Sequence, residues 1–509
     1  MKRLDLIPLS LVGIGLILGS CASDEPGGDD AASGPMSGIS ASAAAGDDTA
    51  GEGDDDDGGG TSEKLDVGGT TVPGCDNADI GCTDQIDLLI VIDNSGTMGQ
   101  EQVNLARNFP LLIEKLEGLQ DSAGMAVNPD VQIMVTTTDF GNPLCTPFEP
   151  EDYEPSGGAP ISSPCTDRLA RFTDLTGSVE IESACTDVCP NGAAPSANYI
   201  AFQGETNNVN MVPPTDINGD GTLDSPVAQA LACIGPQGID GCGYESPLEN
   251  MLQALNPGAD WNTGPTPFLR PDALLAIAIV TDEADCSVKD YSIMDDATFQ
   301  ETNPDNGMQQ ASSAICWNAG VQCTGPDANG VFSDCTSRQA EDLQPITRYT
   351  NYLINDLRDS QKKEVIMLGI LGVPEVTAHN DEAPFEPTAG GVFALEYRNW
   401  VDGQYTGMPG GGDILPDEFA MSVDAADKQF DFGIGPGCTG QDSLGAFTGQ
   451  AIPPVRIKEV CEELNLKNED GSIQGGGVRC CIESICDTDF SDAIECLTGI
   501  IQETIQPPG

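Results

Sequence analysis

Apolar residues fall along this chain in two spacings. From about residue 85, continuous apolar runs alternate with segments in which apolar positions recur every three or four residues. Asp87–Ile92 is apolar after its first residue, and Leu105, Phe109, Leu112, Ile113 and Leu116 follow at helical spacing. Pro110 lies inside that helix, where a missing N–H and a ring clash predict a kink. Val131–Thr138, Leu274–Val280, Val365–Leu371 and Val478–Ile482 read as further strands. Ser246–Leu255, Pro345–Leu357 and Val455–Leu464 read as helices, and Phe490, Ala493, Ile494, Leu497, Ile500 and Ile501 line one face of a last helix. Uninterrupted apolar runs suit strands buried on both faces. Their alternation with helices predicts an α/β fold around a mostly parallel central sheet, with helices on both faces.

The connections after Thr138, Ser287 and Val373 are longer than such units need. They hold most of the Gly, Pro and Cys and read as disulfide-braced insertions at about 140–243, 287–342 and 374–453 of one domain, 85–509. Ahead of that domain the pattern disappears. Residues 21–70, including "GEGDDDDGGG", are almost wholly small or acidic, so no core can form there. As a flexible tether they would span roughly 35–40 Å. Residues 1–20 combine Lys2 and Arg3 with the apolar run Leu6–Leu18 and small residues before Cys21, the pattern of an export signal. The ending Leu18-Gly19-Ser20-Cys21 resembles a bacterial lipoprotein box, which implies a lipid on Cys21 as the membrane attachment.

Charge and cysteine content change the picture next. The chain carries 82 acidic and 20 basic residues, a net charge of −62. Such a surface repels nucleic acid and anionic membrane. It also strains the compact state by self-repulsion unless ions screen it. With Cys21 set aside, the other cysteines of the total of 19 form an even set, which in an exported chain reads as a disulfide framework. Cys75/Cys82 and Cys233/Cys242 are candidate short loops. Cys480 and Cys481 are adjacent in a strand, so they face opposite ways and bond to different partners. Zinc at Cys185 and Cys189 is the rival reading, and export with a single histidine opposes it.

The candidate chemistry is at "IDLLIVIDNSGTMGQEQ", residues 86–102. An apolar strand ends in Asp93, with Ser95 and Thr97 at alternate positions after it. Ligands of parallel sheets bind beyond the carboxyl ends of the strands, where a turning backbone can aim these three oxygens at one point. A carboxylate with hydroxyls is a hard-oxygen set suited to Mg2+ or Mn2+. A second apolar strand ends "AIAIVTDEADC" and places Asp282 at a neighbouring strand end. A helix-capping turn is the alternative for Asp93 and Ser95. Glu283 and Asp285 are either hydrogen-bond acceptors around the ion or solvated loop acids. "DINGDGTLD" offers Asp216, Asn218, Asp220, Thr222 and Asp224 at the spacing of a calcium loop. Val227 stands where the bidentate acid belongs, and an Asx-rich turn is the alternative.

"LLIVIDNSGTM" resembles the first strand and Asp-x-Ser-x-Ser motif of von Willebrand factor type A domains, with Thr97 in the last serine's place. "AIAIVTDEAD" resembles the strand that carries that family's later metal-site aspartate. The resemblance covers roughly 200 residues, in pieces. It implies a Rossmann-like fold and a metal-ion-dependent adhesion site at Asp93, Ser95, Thr97 and Asp282. The family's further loop threonine has no counterpart in "GIDGCGYESPLENML". Cys242 takes the nearest position, and Asp240 or Glu245 is the candidate substitute, an acid that would favour Ca2+. The lipid box, acidic tether and "DNSGTM" together resemble large surface lipoproteins of predatory and soil Gram-negative bacteria.

These readings lead to an exported, lipid-anchored binding protein at the bacterial outer membrane or cell surface. Its ion would grip an acidic residue of a protein or extracellular matrix ligand. The alternatives are an extracellular hydrolase with a carboxylate-lined cleft in the insertions, and a passive surface protein with a structural metal. His379 is the sole histidine, which leaves Ser-His-Asp and Cys-His catalysis one candidate and rules out His-rich zinc hydrolase motifs.

Overall fold

Continuous burial along the central strands, on both faces, decides the architecture. The computed structural model describes residues 83–120, 125–175, 177, 180–339, 342–400, 425–441 and 447–505. Cys21, the tether, Cys75 and Cys82 lie outside the described residues. Seven strands form the main sheet: β1 Gln85–Ile92, β2 Asp130–Thr137, β3 Ile200–Gln203, β4 Thr206–Asn207, β5 Leu274–Val280, β6 Val365–Leu371 and β7 Cys480–Ser484. Their order is β7-β6-β5-β1-β2-β3-β4. The pairings from β7 to β2 are parallel, and β3 and β4 extend the β2 edge antiparallel. This is a mixed α/β fold on a mostly parallel sheet.

The two faces of the sheet have separate cores. Ile86, Leu88, Ile90 and Ile92 of β1 pack on one side with Leu274, Ala276, Ala278 and Val280 of β5. Leu89 and Val91 pack on the other with Leu275, Ile277 and Ile279. Helices α1 (Gly99–Glu117), α2 (Pro226–Ile234) and α5 (Ser491–Thr504) cover the first face. Helices α3 (Pro247–Ala254) and α4 (Val455–Glu463) cover the second, with the helical turn Thr347–Thr350 that continues as a π-helix through Asn351–Ser360. Every apolar position that sequence spacing assigned to the α1 face is buried, and the helix runs unbroken through Pro110. The last strand lies two residues later than expected.

Segment 140–243 does more than decorate the sheet, since β3, β4 and α2 all come from it. At the start of α2, Ser225 accepts a hydrogen bond from the Ala228 N–H at 3.2 Å and Pro226 takes the first turn, a capping arrangement that matches their preferences.

Eight disulfides join the cysteines among the described residues. Cys480 bonds Cys461 of α4 and Cys481 bonds Cys496 of α5, so adjacent cysteines staple β7 to helices on opposite faces, as pleating requires. The expected Cys233–Cys242 loop is not made. Cys233 bonds Cys189 and Cys242 bonds Cys145, because Cys233 is on α2 against the first face while Cys242 is in a loop at the end of β2. Cys185 bonds Cys165, so both cysteines of the zinc alternative are oxidised. So many bridges mark a protein of an oxidising, exported compartment. Among the described residues no helix is long and apolar enough to cross a membrane.

Candidate cation site at the carboxyl edge of the sheet

Three neighbouring strands end in acids at the same edge. The parallel register aligns Ile92 with both Thr137 and Val280. The ladder continues one step further, with the Asp93 N–H donating to Val280 O at 2.9 Å and the Thr138 N–H to Ile92 O at 3.2 Å. Asp93, Asp139 and Asp282 therefore leave the sheet side by side.

Asp93 is fully buried. Its Oδ1 accepts from the Ser95 N–H at 2.7 Å and its Oδ2 from the Thr281 hydroxyl at 2.5 Å. The Ser95 and Thr97 hydroxyls are 3.4 Å apart, and Thr97 Oγ1 donates to Asp282 Oδ2 at 2.6 Å. The structure thus brings Asp93, Ser95, Thr97 and Asp282 together across 185 residues of chain. Asp93 and Ser95 do not cap α1, which begins behind Met98 without a side-chain cap.

The electrostatics of the cluster are one-sided. Burial raises the Asp93 carboxyl above its ordinary value. Burial, then the Asp93 charge, raises Asp282 well above its own. Asp282 Oδ1 is buried with no hydrogen-bond partner. Gly96 and Thr97 are exposed, so one side of the cluster meets solvent. Glu101, on the first turn of α1, is pushed up to about 7 by burial, with Asp93 adding to the shift.

The donor set fits a small hard cation. Around Mg2+ with oxygens at 2.0–2.1 Å, adjacent ligands stand about 2.9 Å apart, and the 2.6 and 3.4 Å separations bracket that value. Two carboxylates and two hydroxyls make up the set. Among the described residues no group of three or more His, Cys, Asp or Glu side chains converges as a metal site.

The substitute residues separate clearly. Cys242 is in a disulfide, and its N–H donates to Asp139 Oδ2 at 3.2 Å. Asp240 turns away to Arg171 Nη1 at 3.1 Å, and burial pushes it up to about 7 against that pairing. Glu245 is fully buried against Asp93 and Asp139. Its loop is held to the Asp93 turn by the Gly241 N–H donating to Asn94 O at 2.9 Å. A Cβ on Gly241 would come within 2.4 Å of Asn94 Nδ2. Gln102 of α1 fastens the same loop. Its Nε2 donates to Asp93 O and Gly238 O, both at 2.8 Å, and its Oε1 accepts from the Gln237 N–H at 2.8 Å.

Asp139 was missed by sequence reasoning, although "IMVTTTDF" carries the same signal as the two strands that were read. Tyr153 donates to its carboxylate, as do two backbone amides, of Gly141 at 2.8 Å and Cys242 at 3.2 Å. Asp285 is not a solvated loop acid. It is buried in an ion pair with Arg456 at 2.8 Å and accepts from the Leu248 N–H at the start of α3. Glu283 is half-buried beside Asp282 and is raised well above its ordinary value by burial and then by Asp282.

Two further candidates lie elsewhere. In the loop 216–224, Asp216 accepts from the Gly219 and Gly221 amides at 2.7 and 2.9 Å, Asp220 from Thr222 at 2.6 Å, and Asp224 from Ile217 at 2.7 Å. Asn218 Nδ2 donates to Asp220 at 3.1 Å. His379, on a hairpin strand Val376–His379, places Nε2 3.0 Å from Glu483 Oε1 of β7 and ties that hairpin to the sheet edge. Comparison with protein-family models, with curated proteins and with solved structures returned no match to this chain.

Proposed function

We propose that Asp93, Ser95, Thr97 and Asp282 hold a divalent cation in the manner of a von Willebrand factor type A domain, and that the protein is an exported adhesion module. The observation that carries this reading is the Thr97–Asp282 contact at 2.6 Å beside buried Asp93. It unites strand-end oxygens on an edge that Thr97 leaves open. When bound, the ion supplies positive charge with a free coordination position for an acidic group of a protein or matrix partner. The chain's own residues do the rest. Thr281 and the Ser95 amide orient Asp93, Thr97 orients Asp282, and Gln102 fixes the flanking loop. Lipid on Cys21 and the acidic tether would hold this edge away from the outer membrane, with salt screening the repulsion between an acidic partner and the acidic chain.

Isothermal titration with Mg2+, Mn2+ and Ca2+ tests the reading. Wild type should bind one ion at this edge, and Asp93→Ala should lose it along with cation-dependent retention on matrix protein. Undiminished cation binding by Asp93→Ala would refute the site.

A further inference from the structure

Glu245 stands apart from the other buried acids. Asp87 is paired with Arg270 and Lys363, Asp285 with Arg456, and Glu364 with Arg479. Glu245 is fully buried, and neither of its carboxylate oxygens has a hydrogen-bond partner. The charges that act on it most strongly are Asp93 and Asp139, with the Thr138 hydroxyl as the one neutral neighbour among the leading influences. The backbone that carries it is pinned on both sides. The Cys286 N–H donates to Glu245 O at 2.7 Å, the Ser246 N–H donates to Thr138 O at 2.9 Å, and Ser246 Oγ donates to Cys286 O at 2.8 Å. The Cys145–Cys242 bridge lies three residues earlier in the chain. A buried carboxylate among acids is costly unless a cation answers it.

We propose that Glu245 is a positioning residue that sets the charge of the cation site from behind Asp93, so that the site favours ions of higher charge. This rests on the cation reading above. With a cation bound to offset the burial and the acidic neighbours that raise its carboxyl, Glu245 supplies negative potential where a hydroxyl would supply none, and it does so without touching the ion. The gain scales with ion charge, because the energy of an ion in a fixed potential is proportional to that charge. The same carboxylate works against the fold when no ion is present.

The test uses the full chain with Mn2+ and Tb3+ as probes, titrated against wild type, Glu245→Gln, Glu245→Asp and Asp282→Ala. Glu245→Gln should lose about tenfold in Mn2+ affinity and about thirtyfold in Tb3+ affinity, since the logarithm of the loss follows charge. It should also melt higher than wild type in chelator. Glu245→Asp, which keeps the charge, should restore most of the Tb3+ preference. Equal losses for the two ions, no loss at all, or failure of Glu245→Asp to restore the preference would each overturn the inference while leaving the cation site standing. Binding that survives Asp282→Ala would overturn the site itself and the inference with it.

Discussion

At the scale of single residues, the cluster at the carboxyl edge is a set of buried acids whose carboxyls raise one another. Burial raises Asp93, Asp282 and Glu245, and it pushes Glu101 and Asp240 up to about 7. For an acid raised in the folded state, the native form binds more protons than the unfolded chain. Its stabilising protonation is fully present below the unfolded value near 4 and is lost as pH rises through the folded one. Cation-free protein should therefore melt progressively lower from pH 5 to pH 7.5, and saturating Ca2+ or Mn2+ should flatten that decline. Thermal melts across this range, with and without chelator, check it. Asp93, Ser95, Thr97 and Asp282 were legible as a group because each follows an apolar strand and carries hard oxygen. The separation of Glu245 from Asp240 was not legible. Both are acids in one loop, and only the position of Arg171 shows which of them is already paired.

At the scale of elements, β1 is held at both ends by polar contacts that its apolar middle does not announce. Near its start, Asp87 is fully buried. It accepts from Arg270 Nε at 2.7 Å and Lys363 Nζ at 3.4 Å, while Arg270 Nη1 also meets Asp130 at 3.0 Å. Asp87→Ala would leave Lys363 buried beside Arg270 without its carboxylate. It should destabilise the fold by about 3–5 kcal/mol, read as a lower denaturant midpoint with cation affinity retained. At its far end, Gly241 lets the 237–246 loop lie directly on the Asp93 turn. Gly241→Ala should push that loop away and weaken Mn2+ binding about tenfold or more, with a melting change smaller than that of Asp87→Ala. Strands β3 and β4 escaped the sequence because four and two residues are too short to show a period. Helix α2 escaped because it sits inside a Gly- and Pro-rich segment whose average composition hides a single well-capped helix.

At the scale of the whole molecule, the disulfides hold the edge together. Cys145–Cys242 closes a separation of 97 residues and joins the loop after β2 to the loop that carries Glu245. In the chain-entropy account a closure of that length stabilises by roughly 4–5 kcal/mol. The Cys145→Ser, Cys242→Ser pair should melt lower and bind cation more weakly than wild type, and a melt combined with a Mn2+ titration separates the two effects. The linear order of residues was enough to determine the α/β alternation, the apolar faces, the opposite orientations of Cys480 and Cys481, and the strand-end oxygens. Each of these is a local consequence of side-chain periodicity or of position on a pleat. Tertiary structure alone decided which cysteines meet, that Asp139 joins Asp93 and Asp282 at one edge, and that Glu245 is left buried without a partner. Those outcomes depend on strand order and parallel register, which bring together groups far apart in the chain and which local spacing does not encode.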